Sequence, residues 1–188
     1  MARKPRSEAR ARLFVALDLP ADARERLVRW RDEALEARTD LRPVAPEALH
    51  VTLVFIGHRP EDEIPAIASA VEGSVSGLPV AALRATRVVP VPKRGPPRLF
   101  AVDLEDEGGR AGAVQAAVSR ALEPWYEPEK RPFWPHVTLA RVRKGERAKR
   151  LDLEPPGEEF EASEVTLYRS RLSPKGASYE ALERVRLG

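Results

Sequence analysis

The stretch His50-Val-Thr-Leu53 occurs twice in this chain, the second time as His136-Val-Thr-Leu139. A second stretch, Arg12-Leu-Phe14, recurs as Arg98-Leu-Phe100. In both cases the two copies lie 86 residues apart. A single repeated tetrapeptide has little weight in a chain of this composition, but two repeats at one offset indicate an internal duplication. Two copies are too few for a solenoid and favour a pair of related lobes instead.

The sequence around these repeats predicts alternating strands and helices. Apolar runs rich in strand-forming residues, at Arg12–Leu19 and His50–Gly57, are typical of buried strands. Apolar residues recur at helical spacing between them, and again over about Glu63–Glu72 and Arg110–Leu122. We therefore expect an α+β fold with two pseudo-symmetric lobes of antiparallel sheet and outer helices around a central cleft.

Length and composition indicate one globular domain. The chain has 188 residues, of which 43% are hydrophobic and 32% charged, and these values exclude a disordered or fibrous protein. Residues 1–10 are basic and polar without periodicity, so we expect a flexible tail there. We expect residues 11–188 to form a single bilobal domain that contains the duplication.

Several classes of protein and site are disfavoured by the composition. Cysteine is absent, which removes disulfides, thiolate nucleophiles and cysteine-ligated zinc. The apolar runs are far shorter than the roughly 20 residues that span a bilayer, and no secretory signal follows Met1. We therefore expect a cytoplasmic monomer without a membrane segment. The formal net charge of +3 permits a nucleic-acid partner without requiring one.

The repeated motif supplies the groups that acid–base chemistry at a phosphate needs. Successive side chains of a strand point to opposite faces, so His50 and Thr52 share one face, as do His136 and Thr138. If a pseudo-twofold axis relates the lobes, the two pairs face each other across the cleft. Imidazoles exchange protons near neutral pH, and hydroxyls can donate to phosphate oxygens. The pattern predicts metal-independent phosphodiester cleavage.

Two other interpretations compete with this one. A lone His-x-Thr is more often an ordinary feature of a strand, but its doubling in a chain with three histidines favours a function. A metal site needs three or four ligands, and each motif supplies only one nitrogen.

The third histidine, His58, has no counterpart in the repeat, because the residue 86 positions after it is Lys144. We interpret His58 as a loop residue. Asp18 and Asp103 are more plausible as structural or solvent-facing residues.

With these motifs, the chain resembles the RNA 2',3'-cyclic phosphodiesterase family, also called 2'-5' RNA ligase, of the two-histidine phosphoesterase superfamily. That superfamily is defined by paired His-x-Thr/Ser-x motifs. Further similar stretches run in the expected order from about Arg12 to Val185, namely Arg12-Leu-Phe-Val-Ala-Leu17, Phe55-Ile-Gly57, Pro135, Ala140-Arg141, Leu167-Tyr-Arg-Ser170, Gly176 and Tyr179-Glu-Ala-Leu182. The resemblance implies two lobes around a cleft, with no metal or nucleotide cofactor. It also implies hydrolysis of a terminal 2',3'-cyclic phosphate of RNA to a 2'-phosphomonoester.

The resemblance also implies residue roles. It suggests that His50 is the proton donor to the leaving 3' oxygen and that His136 is the proton acceptor from water. Thr52 and Thr138 are then expected to bind the phosphate oxygens. The residues alone predict two proton-transferring histidines and do not decide which is the acid.

The resemblance also supports a phosphate role for Arg141. Regular alternation places Arg141 on the Leu139 face, away from the histidines, unless a bulge or the end of the strand follows Ala140. Beside the second motif, Phe133 and Trp134 are candidates for stacking on a base. Core packing is an equal alternative for these two aromatic side chains.

Two further functions stay open. Ligation of RNA through a 2'-5' linkage is the reverse type of chemistry and uses the same groups. An RNA- or nucleotide-binding module without turnover is disfavoured because both histidines and both hydroxyls are intact.

Overall fold

A computed structural model describes residues 9–173 and 176–188 of the chain. Within these residues the helices and strands follow the order β1 (Arg10–Asp18), α1 (Ala21–Leu35), β2 (Leu41–Pro43), β3 (His50–Pro60), α2 (Ile64–Val75), β4 (Ala81–Val91), β5 (Leu99–Asp106), α3 (Arg110–Ala121), β6 (His136–Val142), β7 (Glu159–Ala162), β8 (Glu164–Ser173) and β9 (Gly176–Arg186). The predicted α+β class is confirmed. The two helical segments predicted after the first histidine strand correspond to α2 and α3.

The strands form one antiparallel sheet in the order β7-β4-β5-β6-β3-β1-β8-β9, with β2 added to β6. The sheet divides into two matching sets of four strands, which we call the first lobe (β3, β1, β8 and β9) and the second lobe (β6, β5, β4 and β7). The lobes meet where Val51 of β3 pairs with Val137 of β6. These residues occupy equivalent positions in the repeat, so a pseudo-twofold axis passes between them.

The lobes exchange strands between the two halves of the chain. In the first lobe, β8 and β9 from the C-terminal half complete a sheet begun by β1 and β3. In the second lobe, β4 from the N-terminal half pairs with β5. The sequence repeat predicts two related lobes but not this exchange. It shows which strands are equivalent in the two halves, but not which strands pair with each other in the sheet.

Apolar side chains on the helices cover the sheet. Ile67, Val71 and Val75 of α2 are fully buried at four-residue spacing, as the helical periodicity requires. In β1, Leu13, Val15 and Leu17 are fully buried as well. The core therefore continues beneath both lobes and holds the histidine strands β3 and β6 in fixed register. The correspondence between the two halves is incomplete, because residues 143–158, which follow β6, contain no counterpart of α2.

The structure corrects two boundaries. Strand β1 begins at Arg10, which pairs with Pro60, so the last residue of the predicted tail belongs to the sheet. Residues 1–8 lie outside the described part of the chain. His58 lies within β3, not in a loop, because that strand continues to Pro60. Across the described residues, no helix is both long and apolar enough to cross a membrane.

Candidate active site

Two β-bulges at equivalent positions determine which side chains face the cleft. In β6, Thr138 pairs with Ala101 and Ala140 pairs with Phe100, so Leu139 is the extra residue. In β3, Thr52 pairs with Ala16 and Val54 pairs with Val15, which makes Leu53 extra in the same way. After each bulge two consecutive apolar residues are buried, and the following side chain returns to the histidine face.

The bulges bring Phe55 and Arg141, which are equivalent in the repeat, onto the cleft face of the sheet. Arg141 is exposed and lines the same cleft as the two histidines. Arg141 therefore lies on the histidine face, and the bulge that turns it there is at Leu139, before Ala140 and not after it. Its role toward phosphate stays a prediction.

Both histidine–threonine pairs line a single cleft of about 860 Å³. An antiparallel pair centred on Val51 and Val137 brings His50 toward Thr138 and Thr52 toward His136. Among the described residues that line the cleft, three are arginines and none is acidic; the arginines are Arg12, Arg42 and Arg141. The cleft therefore presents two imidazoles and two hydroxyls in surroundings that favour an anion.

Backbone carbonyls fix the tautomer of both imidazoles. His50 Nδ1 lies 2.8 Å from the carbonyl oxygen of Ala48, and His136 Nδ1 lies 2.7 Å from that of Trp134. A carbonyl only accepts hydrogen bonds, so Nδ1 carries a proton in each ring. This leaves Nε2 of each ring to exchange protons. Thr52 Oγ1 lies 3.1 Å from His50 Nε2 and donates to it when the ring is neutral.

The surroundings of His50 favour its neutral form. Its ring lies among the aromatic rings of Phe14, Tyr168 and Tyr179, with centroid distances of 4.9, 6.4 and 5.3 Å. Burial lowers the pKa of His50 to about 4, although the hydrogen bond to Ala48 opposes the shift. Positive charge on His136 and Arg141 lowers the pKa of His50 further.

His136 has different neighbours. The indole of Trp134 stacks on its ring, with centroids 4.0 Å apart and planes inclined by 13°. Burial lowers the pKa of His136, while the hydrogen bond to the Trp134 carbonyl and the negative charge of Asp103 oppose this. Trp134 Nε1 donates to Asp103 Oδ1 at 2.6 Å.

The two aromatic residues predicted to stack on a base are not among the described residues that line the cleft. Phe133 packs against the core and Trp134 against His136. Phe55 was not predicted as a site residue, yet it lines the cleft and is 44% exposed, with the guanidinium carbon of Arg12 4.6 Å from its ring centroid. Its equivalence to Arg141 in the repeat, 86 residues away, was the available signal.

Within residues 9–173 and 176–188, no group of three or more histidine, cysteine, aspartate or glutamate side chains is arranged to hold a metal ion. The nearby carboxylates are engaged elsewhere. Asp18 accepts hydrogen bonds from Thr166 at 2.7 Å and Tyr168 at 2.8 Å, and Asp103 accepts one from Trp134. The side chains at the cleft therefore suit proton transfer and anion binding.

Comparison with known proteins decides the family. The profile of the 2'-5' RNA ligase superfamily matches residues 19–173, which include both motifs. The chain belongs to the 2'-5' RNA ligase superfamily. A relative from Thermus thermophilus named RNA 2',3'-cyclic phosphodiesterase is 37% identical over 196 aligned positions, which cover 94% of this chain and 90% of that protein. A relative of the same name from Escherichia coli is 31% identical, with 92% and 94% covered.

Solved structures from two bacteria show the same fold. A crystal structure of a protein from Thermus thermophilus matches with a TM-score of 0.79 and 32% identity, covering 94% of this chain and 97% of that one. Escherichia coli LigT complexed with 3'-AMP matches with a TM-score of 0.75 and 25% identity, covering 95% and 99%. The fold of this chain is thus similar to that of these two proteins over almost the whole length of each.

Proposed function

We propose that this enzyme hydrolyses the terminal 2',3'-cyclic phosphate of RNA to a 2'-phosphomonoester. The observation that carries the proposal is the convergence of two identical His-x-Thr motifs on one cleft lined by arginines and by no acidic residue among those described. Relatives that align over most of the chain are named for this activity. A nucleotide end is an anion with a nucleobase, and the cleft offers both cationic and aromatic side chains.

The proposed reaction is an in-line displacement at phosphorus. A water oxygen attacks the phosphorus atom while its proton passes to His136 Nε2, and the bond from phosphorus to the 3' oxygen breaks. His50 Nε2 protonates that leaving oxygen, which leaves a free 3' hydroxyl and a phosphate on the 2' oxygen. Thr52, Thr138 and Arg141 stabilise the negative charge on the non-bridging oxygens. The resemblance of the two motifs to those of the superfamily supports the assignment of donor and acceptor.

Phe55 is the proposed contact for the nucleobase. Among the described residues, Phe55 and Leu172 are the large hydrophobic side chains that stay exposed, and both line the cleft. Aromatic faces bind bases of any sequence by stacking. The proposal replaces Phe133 and Trp134 in this role.

Product analysis tests the function. The purified protein is incubated with an RNA oligonucleotide that ends in a 2',3'-cyclic phosphate, in the presence and absence of EDTA. We expect a 2'-phosphate product in both arms and no turnover by the His50→Ala or His136→Ala protein. A 3'-phosphate product contradicts the proposed bond cleavage, and loss of activity in EDTA contradicts metal independence.

An acceptor strand distinguishes the second candidate. The matching profile is named for 2'-5' RNA ligases, so the same incubation includes an oligonucleotide with a 5' hydroxyl end. Formation of a longer product with a 2'-5' linkage identifies ligation at the same site. Tight binding without either product by the unmodified protein identifies a binding module.

A further inference from the structure

Trp134 contacts His136 with both its side chain and its backbone, although it is not among the described residues that line the cleft. The indole covers one face of the imidazole at a centroid distance of 4.0 Å, nearly parallel to it. The backbone carbonyl of the same tryptophan accepts the Nδ1 proton at 2.7 Å. One residue therefore restrains both the plane of the ring and its rotation within that plane.

Asp103 in turn holds the indole. Its Oδ1 accepts the indole proton at 2.6 Å, and its Oδ2 pairs with Arg87 of β4 at 2.8 Å. Asp103 is also the residue directly opposite His136 in the pairing of β5 with β6. The Asp103 side chain is only 15% exposed, so solvent screens its charge less than that of a surface carboxylate.

The first lobe has no equivalent arrangement at His50. Asp18 lies opposite His50 in the pairing of β1 with β3, as Asp103 does opposite His136. The Asp18 carboxylate, however, accepts hydrogen bonds from Thr166 and Tyr168, and His50 meets the edge of Tyr179 at an interplanar angle of 83°. The two imidazoles thus share a motif but differ in what stabilises a positive charge on the ring.

We propose that Trp134 and Asp103 are positioning residues for His136, which fix the imidazole plane and support the positive charge that this ring acquires when it takes a proton. The inference rests on the proposed function, in which His136 accepts the proton of water. A cationic imidazole is attracted to the electron-rich face of an indole. Asp103 orients that indole and adds negative charge beside the ring.

The other charged groups around His136 are few. Arg87 on β4 neutralises part of the Asp103 charge, and Lys93 Nζ lies 5.6 Å from the centroid of the Trp134 ring. His50 on β3 and Arg141 on β6 line the same cleft. Asp103 is the acidic group that raises the pKa of His136.

The test compares Asp103→Asn with the matched control Glu105→Gln. Both carboxylates lie on β5 and pair with an arginine of β4, but Glu105 pairs with Arg84 and has no role toward the indole. NMR titration of the histidine rings needs no substrate. We expect the pKa of His136 to fall in Asp103→Asn and to stay unchanged in Glu105→Gln, because a removed negative charge disfavours the charged ring.

Kinetics supply a second readout. A weaker base slows the chemical step, so we expect Asp103→Asn to lower kcat about tenfold, within the range of general-base effects, with little change in KM. In Asp103→Asn the acid limb of the pH profile moves to lower pH.

A second pair of variants tests the indole. Trp134→Phe keeps a stacked ring but loses the N–H that donates to Asp103, whereas Trp134→Leu loses the ring as well. We therefore expect a smaller loss of kcat in Trp134→Phe than in Trp134→Leu.

Two results overturn the inference. The first is an unchanged pKa of His136 in Asp103→Asn, together with an unchanged Tm. The second is equal kinetics for Trp134→Phe and Trp134→Leu when both proteins are folded. If the parent protein has no activity but the pKa of His136 still falls in Asp103→Asn, then the proposed function fails and the positioning role remains.

Discussion

His50 and His136 occupy the same position in the two copies of the motif but have different neighbours. This difference affects the pH at which each ring is protonated. Burial among aromatic rings keeps His50 neutral above a pH of about 4 in the free protein. A proton donor at neutral pH needs a higher pKa than this. A bound phosphate anion supplies the opposite charge that favours the protonated ring. The proposed donor role of His50 therefore depends on a bound substrate.

This dependence predicts a titration that changes with ligand. Without ligand we expect the pKa of His50 to be about 4 and that of His136 to lie below its usual value. With a 2'-phosphomononucleotide bound, we expect both values to rise. NMR of the ring protons measures this. Identical pKa values of His50 with and without bound nucleotide would contradict the substrate-dependent donor role.

The hydroxyls of Thr52 and Thr138 give a second prediction at this scale. If each donates to a phosphate oxygen in the transition state, Thr→Ala at either position raises the barrier by about 2–4 kcal/mol. Thr→Ser keeps the hydroxyl and is the matched control, with a much smaller expected effect. The ratio of kcat/KM to that of the parent protein measures the change. Full activity of both alanine proteins would remove this role.

The doubled motif made the histidines and threonines predictable from the sequence, because strand alternation alone assigns them to one face. The stacking of Trp134 on His136 was not predictable. It depends on Asp103, which lies in a strand 31 residues earlier and contacts the indole only after β5 and β6 pair. Sequence patterns within a strand contain no information on such a contact.

At the scale of single elements, the bulges in β3 and β6 are decisive, since without the extra Leu139 the side chain of Arg141 would face the core. The sequence contains a signal for these bulges. In β6, Leu139-Ala140 is a consecutive apolar pair in a strand that otherwise alternates, and in β3 the apolar run Leu53-Val-Phe-Ile56 begins at the equivalent position. The period of two therefore predicts these strands well up to the threonine and fails directly after it.

The orientation of Arg141 yields a prediction for this element. Arg141→Gln removes the charge from the cleft, and we expect kcat/KM to fall by about 10- to 100-fold, as for a lost charge-assisted hydrogen bond of roughly 1.5–3 kcal/mol. Arg84→Gln, on β4 and paired with exposed Glu105, is the control with no expected effect on kcat/KM. Equal activity of both variants would show that Arg141 does not contact the phosphate.

At the scale of the whole molecule, the exchange of β4, β8 and β9 makes the two chain halves depend on each other. A fragment of residues 1–95 contains β1 and β3 without β8 and β9, so one edge of its sheet lacks its partners. We expect neither this fragment nor residues 96–188 to fold alone, and an equimolar mixture to recover structure. Circular dichroism during thermal unfolding measures this. A cooperative transition of either isolated fragment would contradict the interdependence.

The same exchange has a consequence for the origin of the enzyme. A half-length ancestor with this strand arrangement closes its groove only by trading strands with a second copy of itself, and its two imidazoles are then identical by symmetry. Joining the copies in one polypeptide makes assembly independent of concentration. It also lets the sequence around each ring change separately, so that the aromatic rings around His50 and the indole on His136 need not match.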